Sequence, residues 1–166
     1  MTATVIATHA AMSLVIPAPQ PAAEETPIVS STFFPNITPA KIREQQRIDN
    51  TITPPRLRAA LIEAIAHTNS LLRAYRIAQK ELGKTALADI DAERVDDESI
   101  LVQRYRRAVG CMAKALILER MPDYDATGRG EKRAEAMADP IDDLRRDFQH
   151  AIAEITGRPR TVVELI

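Results

Sequence analysis

The sequence has no tryptophan, one cysteine and few aromatic residues of any kind, 4% in all. With Cys111 alone, no intrachain disulfide can form; a disulfide-stapled secreted domain is excluded and a reducing compartment suits the chain. Scarce aromatics imply a core of Ala, Leu, Ile and Val, ordinary for a helix bundle and thin for a β-sandwich. A dominant charge is also missing: 22 basic residues stand against 23 acidic ones, a net charge of -1. That balance demands neither a nucleic acid nor an anionic membrane as partner. No apolar run approaches the roughly 18 residues that span a bilayer. The opening MTATVIATHAAMSLVIPAPQP has no Lys or Arg before its apolar part, and His9 and Ser13 interrupt it, so no signal peptide is expected.

Residues that would carry chemistry are equally thin. His9, His67 and His150 lie outside metal spacing of one another, and no HExxH or Cys–His cluster occurs, so no metal or cofactor is expected. His67 falls beside an apolar stripe and reads as a partly buried structural residue. Cys111 sits mid-helix among Val109, Met112 and Ala115, which predicts a buried inert thiol. Asp96, Asp97 and Glu98 read as the acidic start of a helix, as do Asp142 and Asp143. The cluster Gly128, Arg129, Gly130, Glu131, Lys132 and Arg133 lacks the GxxxxGK pattern followed by Ser or Thr that a phosphate loop needs. It reads as a flexible exposed loop, with Arg129, Lys132 and Arg133 open to DNA backbone or an acidic partner. The arginines of RLR and RYRR, with Arg145 and Arg146, are interleaved with acids and predict ion pairs.

Helical periodicity is what the chain does have. Thr53 to Gly83 predicts one long helix from Pro54 to Leu82, roughly 43 Å at 1.5 Å per residue, as the spine of the fold. Its stripe is Leu57, Leu61, Ala64, Thr68, Leu71, Tyr75, Ala78 and Leu82, spaced alternately by four and three. A short helix is expected from Pro39 to about Asp49, with Ile42 and Ile48 inward. Another runs from Glu98 to about Met121, capped by Asp96 or Asp97, with Gly110 permitting close approach. Asp139 and Pro140 predict a break or kink, then a helix to Thr156 closed by Gly157.

The fold expected is all-α: a small bundle of about four helices over residues 39–157, an extended N-terminal arm over 1–38 and a short extended tail over 158–166. The arm holds Pro17, Pro19, Pro21, Pro27 and Pro35, with Val5, Ile6, Leu14, Val15 and Ile16 ahead of them. It reads either as a solvated tail or as an arm that orders on a partner. Phe33 and Phe34 either plug the base of the bundle or anchor in another subunit. Val162, Val163, Leu165 and Ile166 follow the last helix stop and are expected to dock on a partner.

Five segments in register then resemble a known family: STFFPNITPAKIRE, TITPPRLRAALIEAI, DDESILVQRYRRAV, YDATGRGEKRAE and GRPRTVVELI. Together they resemble the head completion proteins (GPL family) of temperate contractile-tailed bacteriophages, from about Phe33 to Ile166. The resemblance implies a non-enzymatic virion protein at the head–tail junction, made in the host bacterial cytoplasm. It implies a connector adaptor that binds the portal protein after DNA packaging and prepares the filled head for a tail-side connector or tail terminator protein. A ring of about twelve copies, non-specific contact with packaged DNA and no membrane partner are further implications. Two other classes compete. A small terminase subunit would show a helix-turn-helix with a basic recognition helix, and a small helical enzyme would show a convergent polar site.

Overall fold

Threonine followed by proline starts the first two helices, as the sequence predicts. The computed structural model describes residues 26–120 and 129–158, with the backbone alone from 129 to 139. Helix α1 is Pro39–Gln45 and α2 is Pro54–Leu71. Thr38 and Thr53 hold extended backbone at the caps, yet neither hydroxyl bonds the helix. The start signal is therefore proline's fixed φ, not a side-chain hydrogen bond. Next come α3 (Arg73–Glu81), a 3₁₀ turn (Leu87–Asp89), strands β1 (Arg94–Val95) and β2 (Glu98–Ser99), α4 (Ile100–Glu119) and α5 (Arg129–Thr156). The chain is mostly helical, as expected, with one small hairpin added.

The centre is α4. It packs against α5 on one side and α2 on the other, and touches α1 and β2 as well. Buried residues therefore surround it, among them Leu101, Val102, Tyr105, Val109, Cys111 and Ala113. The main core joins α4 to Leu57, Leu61, Ala64 and Leu72 of the α2 region and to Ile42, Ile48 and Ile155. A second, smaller cluster of Ala108, Cys111, Phe148 and Ala151 fills the seam between α4 and α5. Gly110 does serve close approach, though to a side chain: a Cβ there would lie 2.9 Å from Nε2 of Gln46 and 3.1 Å from its Cγ.

Four expectations change. The long spine is two helices. Leu72 closes α2 and opens α3 at φ -86 and ψ 5, in the bridge region beside the helical one. Thr68 donates back to the Ala64 carbonyl at 2.7 Å, a contact that bends helices. His67, Thr68, Asn69 and Ser70 are four weak helix formers in a row, the signal that the apolar stripe hid.

Asp96 and Asp97 do not cap α4. They are the two central residues of the β1–β2 hairpin, at φ 54 and 56, and the strands pair Arg94 with Ser99 and Val95 with Glu98. Two left-handed residues between short strands make a type I′ turn, which Asp tolerates better than most residues. Arg94 donates to the Asp97 carbonyl across it. Ser99 takes the cap position instead.

Helix α5 runs from Arg129 through Pro140 without a break. A proline forfeits one backbone bond and need not end a helix, so Asp139 is not a cap. Gly157, at φ 67, does close it.

Lastly, residues 26–38 belong to the body rather than to an arm. Ile28 and Ile37 exchange both backbone bonds, at 2.7 and 3.0 Å, and both side chains are buried. Arg58 of α2 donates to the Thr26 carbonyl at 2.8 Å. The earlier arm and the tail beyond Arg158 lie outside the described residues.

Candidate interaction surfaces

The paired phenylalanines follow from the closed loop that carries them. Ile28 and Ile37 pinch the segment, so Phe33 and Phe34 point into the bundle. Their rings meet edge to face at 5.1 Å, and Phe34 stacks on Tyr105 of α4 at 4.9 Å with 6° between planes. Aromatic pairs of this kind are worth about 0.5–1.5 kcal/mol beyond the area they bury. The Leu87 N–H donates to the Phe33 carbonyl at 2.8 Å, tying down the 3₁₀ turn. Phe33 is 1% exposed and Phe34 3%. This is the plug of the two sequence readings; neither ring keeps surface with which to anchor in another subunit.

A polar relay crosses the same layer. Tyr105 donates from Oη to Oδ1 of Asn69 at 2.8 Å, and Asn69 donates from Nδ2 to Oγ of Ser30 at 3.1 Å. Burial pushes the Tyr105 phenol up to about 12, against a smaller opposing pull from Ser30. Sequence reasoning missed Ser30 and Asn69, because a lone Ser and a lone Asn carry no periodic signal.

Ion pairs fasten α4 to its neighbours, as the interleaved charges predict. Arg104 meets Glu154 at 3.1 Å, Arg106 meets Glu98 at 2.5 Å and Arg107 meets Asp147 at 3.1 Å. Arg145 reaches back to Glu119 at 2.5 Å, and Arg146 pairs with Asp143 within α5. Cys111 is buried in that seam; burial and then Asp147 push its thiol up, against Arg107 and Lys114, which disfavours the reactive thiolate. His67 is exposed rather than partly buried as its place beside the stripe predicts, and it lies against Phe148, with ring centroids 5.4 Å apart. No group of His, Cys, Asp and Glu suited to a metal occurs among the described residues, and no helix there is long and apolar enough to cross a membrane.

Among the open surfaces, two involve α2, α3 and α4. A cleft of about 280 Å³ lies between the start of α2 and the end of α4, floored by Ile52, Ala60 and Ile117 and rimmed by Arg56 and Arg120. It is near the lower size limit for small-molecule pockets. Helix α3 is the other: it buries no residue, and Leu71, Ile77 and Leu82 beside or on it are exposed. The stripe predicts a spine along this whole length, yet Leu71, Ala78 and Leu82 in its second half are exposed.

The other predicted site residues are not brought together. Arg129, Lys132 and Arg133 lie in the first turns of α5, so their backbone is helical rather than a loop. Val162, Val163, Leu165 and Ile166 fall outside the described residues.

Comparison with known proteins matches the geometry-independent part of this picture. The family model described as phage head completion protein (GPL) matches residues 28–166. The head completion/stabilization protein of Escherichia phage P2 is 43% identical over 148 residues, covering 89% of this chain and 88% of that protein. No solved structure matches. The matched span begins at Ile28, the residue whose bridge to Ile37 closes the folded body, and with most of the sequence inside it the chain belongs to the phage head completion protein (GPL) family.

Proposed function

We propose that this chain is a structural, non-enzymatic component of the virion, a head–tail connector adaptor. In this reading it binds the portal protein after DNA packaging, stabilises the filled head and readies it for a tail-side connector or tail terminator protein. The observation that carries the reading is the 43% identity, over 89% of the chain, to a protein named for head completion and stabilization. The polar contacts that the described residues make also support it, since they are structural: ion pairs between helices and the Ser30–Asn69–Tyr105 relay. A ring of copies matching the portal fits this role, because one heterologous contact repeated about an axis closes a ring.

The test uses phage lacking the chain. Filled heads from such an infection are expected to lose DNA and to refuse tails, and added purified chain is expected to restore infectious particles. Images of the chain mixed with isolated portal should show a ring seated on it. Tail joining at the wild-type level without the chain, or binding to the capsid shell in place of the portal, would sink the adaptor reading.

A further inference from the structure

Helix α3 stands apart from the rest of the molecule in two ways. It has no fully buried residue, Tyr75 resting half-buried against the core, and its cations are unmatched among the described residues. Arg73, Arg76 and Lys80 are spaced by three and four, which places them on one side of the helix. Leu71, Tyr75, Ala78 and Leu82 have the same spacing on the opposite side. Among the described residues, none of the three cations makes an ion pair or a side-chain hydrogen bond. Glu81 is the one acid on α3, and it is not paired with the row. Every arginine of α4, by contrast, holds a carboxylate. The RYRR cations of α4 are neutralised internally, whereas on α3 Arg73 and Lys80 are exposed and Arg76 is half-buried.

We propose that the Arg73–Arg76–Lys80 face of α3 binds the phosphate backbone of duplex DNA. It deepens the reading of the chain as a protein that stabilises the DNA-filled head, and rests on that reading for its ligand. The occupant follows from charge and spacing. Arg73 to Lys80 spans about 10 Å of helix at 1.5 Å per residue. One DNA strand presents a phosphate about every 3.4 Å along its axis, so the row matches about three of them. Its face carries no aromatic ring on which an unpaired base could stack, which favours a duplex backbone over single strands. Because α3 meets the core through Tyr75, on the side opposite the cations, a duplex can approach along the cationic side. No base-reading side chain is needed, so the contact is independent of sequence.

Binding of the purified chain to a short duplex of arbitrary sequence, measured by fluorescence anisotropy across a salt series, tests this. With three phosphates neutralised, log affinity should fall against log salt with a slope of about -2.7, roughly a 40-fold loss from about 50 to 200 mM salt. The combined variant Arg73→Gln, Arg76→Gln and Lys80→Gln should lose at least tenfold in affinity at low salt and most of the slope. A second combined variant, Arg129→Gln, Lys132→Gln and Arg133→Gln, should keep both. Circular dichroism checks folding. If the triple variant fails to fold, each single substitution should reduce the slope by about 0.9.

Unchanged DNA binding in the α3 variant overturns the proposal, as does loss confined to the second variant. Retention on polyglutamate with no affinity for duplex overturns it in favour of an acidic protein partner. Portal capture is read separately. Capture without DNA binding removes this inference and leaves the adaptor reading standing; DNA binding through α3 without capture does the reverse.

Discussion

Two halves of one sequence stripe meet different fates. Leu57, Leu61, Ala64 and Thr68 are buried in α2, whereas Leu71, Ala78 and Leu82 of the same stripe are exposed. The spacing is the same in both. What differs is that α4 lies against α2, whereas among the described residues no helix packs across α3 in that way. Periodicity therefore tells which side of a helix is apolar, and not whether anything in the same chain covers that side. The uncovered half is where a partner is to be sought.

The strongest way to break this comparison is truncation on either side of it. Phe34→Ala, in the core layer with Tyr105, is expected to cost about 3–5 kcal/mol in urea unfolding. Leu82→Ala, which is 73% exposed, is expected to stay within about 0.5 kcal/mol. Equal effects would mean that α3 is covered in solution.

Asn69 sits at the border between the halves. Asn69→Ala should cost about 1–3 kcal/mol, since it leaves the Tyr105 hydroxyl buried without its acceptor. The same phenol sets an alkaline limit. Its folded value is raised from 10.0 to about 12, so the folded state holds the proton more tightly. The resulting stability is complete below about pH 10 and is lost as pH rises through 10 towards 12. Tyr105→Phe should flatten that fall; an unchanged slope in pH-dependent unfolding would count against the burial argument.

Cations offer a finer contrast. Arg104→Ala breaks a partly shielded pair with Glu154 and should cost up to about 1 kcal/mol. Arg73→Ala should change stability by no more than about 0.5 kcal/mol, because it has no such partner to lose. The smallest effect is at the break itself. Ser70→Ala, on an exposed position in the weak run before Leu72, should stabilise by a few tenths of a kcal/mol, visible as a slightly higher urea midpoint.

Much of this fold was legible because its signals are local. Thr–Pro pairs marked the starts of α1 and α2, Gly157 marked an end, and the spacing of Phe148, Ala151 and Ile155 marked the inward side of α5. Other features were not legible because their causes are distant or ambiguous. Asp96–Asp97 serves equally as a helix cap or as a hairpin turn, and the strands beside it are two residues each. Leu72 breaks a helix with no proline or glycine present. Phe33 and Phe34 looked as suited to a neighbour's surface as to their own core, and only Tyr105 decides between the two. Of the site, the sequence showed family membership and the ion-paired arginines. It hid the cationic side of α3, since an unpaired arginine and a paired one read alike in sequence.

The loop held by Ile28 and Ile37 also has a consequence in time. The ribosome makes Phe34 early, while its stacking partner Tyr105 follows roughly seventy residues later, about 4 to 14 seconds at typical synthesis rates. Until then the two phenylalanines have no home in the chain. The body cannot close by adding helices one after another from the N-terminus; its first folded layer waits for α4. A nascent chain halted before Tyr105 should therefore be bound by chaperones and easily cleaved near Phe34, and release of the finished chain should end both together.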